Sequence, residues 1–123
     1  MPGVINSYKD LVVWQVSVEL AVNCYSATKV FPTNEAFGMT AQIRRASTSI
    51  AANIAEGHGR ESTGSFIQFL RVAQGSLKEL ETHIILSGRV GLMRDAETRK
   101  LLEQSDEIGR MLRSMIRSLQ QKP

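Results

Sequence analysis

Apolar residues recur along this chain in steps of three and four, in four separate runs. Leu11, Trp14, Val18, Ala21, Tyr25 and Thr28 make the first, and Met39, Ile43, Ala46, Ile50 and Ile54 the second. Phe66, Leu70, Ala73, Leu77, Leu80 and Ile84 make the third, and Leu101, Ser105, Ile108, Leu112, Met115 and Leu119 the fourth. Such spacing places each set on one face of an α-helix. No period-two alternation or hairpin dipeptide competes with it. The pattern predicts helices over approximately 9–30, 34–57, 62–89 and 95–121.

The residues between the runs agree with these limits. Ser7 and Asp10 have the spacing of a capping box, and Phe31-Pro32 closes the first helix because the residue before proline avoids the α region. Thr33-Asn34-Glu35 suits a helix start, with Gly38 marking a break or bend near it. Gly57-His58-Gly59 suits a helix end. Ser62 or Thr63 is expected to cap the third helix and Asp95 the fourth, with Gly88 and Gly91 bracketing the turn between them. The last turns are basic through Arg110, Arg113, Arg117 and Lys122, which complements the dipole at a helix C-terminus. Short loops make successive helices antiparallel neighbours, so the fold expected is an all-α, antiparallel up-and-down four-helix bundle. The small side chains from Ala46 to Ala52 should let another helix come close, and Gly75, inside the third run, suggests a second tight approach.

Composition narrows the class. A chain of 123 residues, 42% hydrophobic and 22% charged, is expected to be one domain over 1–123. The three prolines, Pro2, Pro32 and Pro123, can all lie outside helix interiors. Cys24 is the single cysteine, which rules out an internal disulfide and a cysteine-based metal site within one chain. No run of about 18 apolar residues is present to cross a bilayer. The segment Met1 to Ser7 has neither a basic nor an apolar leader region, so a cytoplasmic, reduced setting is expected, with no membrane partner. A formal charge of +3 and a pI near 9.4 permit nucleic acid as a partner without requiring it.

Catalytic chemistry finds little support. Glu79 and His83 share a helix face, but no second such pair completes a bundle metal site. Cys24 has no base near it in sequence and suits a small buried position, and no serine stands in a Gly-x-Ser-x-Gly elbow. No metal, cofactor or enzymatic activity is expected. Trp14, Tyr25, Phe66 and Phe69 lie in or beside the helical stripes and are expected in the core.

Binding chemistry is better represented. His58 and Arg60, with free amides at the start of the third helix, could form a small anion site, the alternative being a plain helix-ending turn. Arg44 and Arg45 point about 100 degrees apart on a helix, either one toward solvent and the other toward Glu56 or a subunit neighbour, or both as a solvated pair. Arg110, Arg113 and Arg117 form a basic stripe open to phosphate contact or to solvent. The candidate nucleic-acid residues are therefore Arg44, Arg45, His58, Arg60, Arg110, Arg113 and Arg117. A protein-binding alternative uses Arg44, Asn53 and Glu56.

A family resemblance runs through the same residues. Tyr8-Lys9-Asp10-Leu11 with Trp14, Phe31-Pro32 with Glu35, and Gln42-Ile43-Arg44-Arg45-Ala46 carry its first half. Ser49-Ile50, Asn53-Ile54-Ala55-Glu56-Gly57, Phe69-Leu70, Ala73, Gly75-Ser76-Leu77 and Glu79-Leu80-Glu81 carry the rest. The chain resembles the four-helix-bundle proteins encoded within intervening sequences of bacterial 23S ribosomal RNA genes. That resemblance implies a barrel-like homopentamer. It also implies kinship with the accessory protein of diversity-generating retroelements, whose basic pentamer engages reverse transcriptase and nucleic acid. The function expected is a non-enzymatic homo-oligomer associated with RNA or other nucleic acid, the alternative being a protein–protein scaffold.

Overall fold

A computed structural model describes residues 6–121. The stretch from Met1 to Ile5, with Pro2, and the last two residues, Lys122 and Pro123, lie outside the described residues. Four helices form: α1 (Val12–Thr28), α2 (Met39–His58), α3 (Thr63–Arg89) and α4 (Asp95–Gln120). Among the described residues there is no strand.

Each helix packs on its chain neighbours, and α1 closes the ring against α4. Side-chain pairs fix the directions. Thr28 of α1 meets Arg44 near the start of α2, and Ser49 of α2 meets Ser76 of α3, while Gly57 lies against Phe66 and Phe69. Ser105 of α4 reaches Glu81, Gly88 approaches Thr98, and Asn23 of α1 bonds Gln104. In each pairing a later residue of one helix meets an earlier residue of the next, so the bundle is antiparallel and up-and-down.

The helix limits differ from the spacing in instructive ways. Ser7 and Asp10 do form a capping box, but it closes a 3-10 turn over Tyr8–Asp10. Leu11 then takes an extended conformation, drops into the core, and starts α1 at Val12 rather than at residue 9. Thr33–Glu35 is also a 3-10 turn, after which the chain bends at Gly38. There the Glu35 carboxylate accepts the amide of Met39 at 3.0 Å, so the expected N-terminal residues cap α2 from outside it. Ser62 caps α3 as expected, accepting from the Ser65 amide at 3.1 Å. Asp95 does not cap α4. It is the first helical residue, Arg94 holds the cap position without a side-chain bond, and Asp95 and Glu97 act on the dipole from inside the first turn. Gly91, at φ +84°, adopts the left-handed conformation that lets the Leu92 and Met93 amides return to the Ser87 carbonyl.

The core follows the predicted stripes on α2, α3 and most of α4, with Ile50, Ile54, Leu70, Leu80, Leu101 and Leu112 fully buried; in the last turns of α4 Ile116 takes the buried position and Met115 and Leu119 are half-buried. On α1 the stripe is rotated. Val13, Ser17, Leu20, Cys24 and Ala27 face inward, Trp14 and Val18 are half-buried, and Tyr25, expected in the core, is exposed. The cause is visible in the chain: α1 is apolar on almost every side from Val12 to Val22, so spacing alone does not select the buried face. The rotation leaves Val12, Val22 and Tyr25 on the surface.

Gly75 does not mark a close approach. A Cβ built there meets nothing within 4 Å. The tight contact is at Gly57, where a Cβ would lie 2.6 Å from the Phe69 Cβ. The small residues of α2 act in the same seam, with the Ser49 and Ser76 hydroxyls 2.8 Å apart.

Candidate nucleic-acid interface

Position on the bundle separates the basic residues into engaged and open groups. Arg44 turns toward α1. Its Nε donates to Thr28 Oγ1 at 2.9 Å, its Nη2 to the Tyr25 carbonyl at 3.4 Å, and its guanidinium lies 4.6 Å from the Tyr25 ring centroid. This places a cation on the last turn of α1, where unpaired carbonyls favour it. Arg45 is exposed. Glu56 pairs with Arg60 at 2.9 Å and with neither of these arginines. Asn53 donates to the Ser49 carbonyl at 2.8 Å and to Ser49 Oγ at 3.0 Å, on the α3 side of α2. Arg44 thus reaches α1 while Asn53 stays on Ser49 of its own helix, and the trio with Glu56 does not share one face.

His58 and Arg60 also diverge. The His58 ring meets Phe66 edge-on at 5.7 Å, whereas Arg60 lies over Phe69 at 4.8 Å. Ser62 already occupies an amide at the start of α3. No anion site is assembled from these parts. His58 instead meets Arg110 across an open cleft of about 670 Å³, floored by Leu11, Phe66, Met111 and Met115. Arg110 is held by Asp106 one turn earlier on α4.

Arg113 and Arg117 behave differently. Both are exposed, and among the described residues neither has a carboxylate within ion-pair distance. They line one side of a groove between α3 and α4, with Arg71 and Gln74 on the other. That cleft, of about 280 Å³, adjoins a second of about 360 Å³ where Gln74 and Arg113 meet Gly75, Lys78 and Gly109. Lys78, at the far end, is paired with Glu81 at 3.1 Å.

The bundle interior holds little reactive chemistry. Cys24 is fully buried, and burial pushes its thiol up from 9.0 to about 12, a hydrogen bond with Ser47 acting the other way. His83 Nε2 sits 3.6 Å from Glu79, and among the described residues no three His, Cys, Asp or Glu side chains gather as a metal site would require. Among the described residues no helix is long and apolar enough to cross a membrane.

The sequence of these helices matches a known family over residues 9–114, described as the 23S rRNA-intervening sequence protein. The chain belongs to that family. A solved structure agrees: a protein of unknown function from the S23 ribosomal protein family of Bacteroides thetaiotaomicron is 34% identical, with a TM-score of 0.79. The likeness covers 85% of this chain and 98% of that one. Among curated proteins none matches. The 23S rRNA-intervening sequence match ends at Ser114, so it takes in Arg71, Arg110 and Arg113 and leaves Arg117 beyond it.

Arg71 and Gln74 are absent from the candidates read off the sequence. Their signal was present, since Arg71, Gln74 and Lys78 step by three and four along one flank of the α3 stripe. What the sequence lacks is which flank of α3 faces Arg113 and Arg117.

Proposed function

We propose that this member of the 23S rRNA-intervening sequence family is a non-enzymatic homo-oligomer that associates with RNA through phosphate contact. The observation that carries it is the presence of exposed guanidinium groups without acidic partners among the described residues, Arg45, Arg71, Arg113 and Arg117 among them, on a chain of net charge +3. Phosphate binding needs cations free to leave water for the ligand, and an arginine already held by carboxylate offers less. Arg60 and Arg110, held by Glu56 and Asp106, and Arg44, bonded to α1, therefore rank below these as phosphate contacts. The family's association with the 23S rRNA gene favours RNA as the polyanion. Oligomerisation is supported by the apolar side chains that α1 leaves outside, Val22 at 53% and Tyr25 at 41% exposure. The family resemblance implies a pentamer, and five copies would pool a charge that one copy holds only weakly.

A protein-scaffold role is the competing function, favoured by the same α1 surface, which borders a groove of about 530 Å³ with Thr48 and Ala51 of α2. Fluorescence anisotropy with a labelled, structured RNA in low salt separates the two. Saturable binding that weakens as salt rises supports RNA association. Absence of binding in low salt removes it and leaves the scaffold.

A further inference from the structure

We propose that the α3–α4 groove is the track for the RNA phosphodiester backbone, with Arg71, Arg113 and Arg117 contacting phosphates and Gly75 keeping it open. This rests on the RNA association proposed above and names its surface.

Two independent observations meet here. The first is charge from both walls. Arg71 comes from α3 and Arg113 and Arg117 from α4, none with a carboxylate at ion-pair distance among the described residues, and Gln74 and Gln120 add amide donors. The second is shape. Gly75 is an exposed glycine in the middle of a long helix, which costs about 1 kcal/mol relative to alanine. Packing gives no reason for it, since a Cβ there would enter open space. Its position in the groove does give one, because a side chain at Gly75 would stand where the ligand lies. Opposite, Gly109 is buried under Leu77, and a Cβ there would come 3.5 Å from Leu77 Cδ2 and 3.6 Å from the Arg113 guanidinium, so α4 brings its backbone and Arg113 close to α3. Gly75 thus leaves open space on the α3 wall, with Leu77 and Gln74 beside it. From Gly109 to Gln120 the track follows about 16 Å of α4, enough for a few successive phosphates. Contacts of this kind position a nucleic acid without reading its bases.

The test is anisotropy with a labelled structured RNA across a salt series, using the full chain. Three variants are compared: R71Q/R113Q/R117Q, Gly75→Leu, and a control with the same charge change on the exposed first turns of α4, R94Q/R99Q/K100Q. Circular dichroism on each reports the fold. The groove triple is expected to lower the log–log salt slope by about 2 or more. Gly75→Leu is expected to weaken binding severalfold with no loss of thermal stability, and the control to stay within about twofold of the parent chain. R113K/R117K, which keeps the charge, is expected to retain most of the binding. Equal losses in the groove triple and the control, or an unaffected Gly75→Leu, would overturn the groove while leaving RNA association standing. A parent chain that binds no RNA in low salt would overturn both.

Discussion

Arg44 donates from Nε to Thr28 Oγ1 at 2.9 Å, and that hydroxyl in turn donates to the Cys24 carbonyl at 2.8 Å. One relay thus ties the start of α2 to the closing turn of α1, with the cation near carbonyls that lack helical partners. The residue that looks most like a nucleic-acid contact in the sequence is a joint between helices. Arg44→Met is expected to lower stability by about 1–3 kcal/mol, and Thr28→Val by about 1 kcal/mol. The double variant should cost less than the sum, because both changes break one relay. Urea denaturation of the four species checks this.

Glycine substitutions should separate α2 from α3. Gly57→Ala forces a Cβ against the Phe69 Cβ at 2.6 Å and Phe66 Cδ1 at 3.0 Å, neither of which is the free end of a flexible chain. A loss of about 1–3 kcal/mol is expected. Gly75→Ala meets nothing and should gain up to about 1 kcal/mol from helix propensity. Thermal melts of the two variants should shift in opposite directions.

The three stripes on α2, α3 and α4 were legible because each alternates apolar and polar residues at helical period. The α1 face was not, since Val12, Val13, Trp14, Val18 and Val22 surround the helix and the choice among them is made by α2 and α4. In the sequence Gly57 reads as part of a helix end and Gly75 as a tight approach, and only the neighbours show that Gly57 is the crossing point and Gly75 the open position. The same holds for the binding residues. Arg60 and Arg110 acquire acidic partners one turn away, a spacing the sequence contains, whereas the meeting of Arg71 with Arg113 and Arg117 depends on how α3 and α4 are rotated together.

Cys24 should be inert in the folded protein. Its thiol, pushed up to about 12 by burial, has roughly a thousandfold less thiolate at pH 8 than one at 9.0. Labelling by a thiol-specific disulfide reagent should follow the unfolding rate rather than reagent concentration. The sign for stability follows from protons bound. Between pH 9.0 and about 12 the folded state keeps a proton that the unfolded state releases, so this residue lowers stability as pH rises through that window and leaves it unchanged below. Cys24→Ala should flatten that alkaline decline in urea midpoints measured from pH 8 to 11.

The exposed apolar side of α1 bears on assembly. Val22→Glu replaces a side chain 53% exposed in the single chain, so it should leave helical content unchanged. If copies meet there, it buries a charge between them and should shift the sedimentation profile toward monomer. A profile identical to the parent's would take α1 out of the subunit contact.

Native mass spectrometry of the full chain, with and without a structured RNA, reaches the proposed function most directly. A multiple of the 13.6 kDa chain that gains the mass of whole RNA molecules, and sheds them as ionic strength rises, is the predicted result. A spectrum of single chains, unchanged by RNA in low salt, would contradict it.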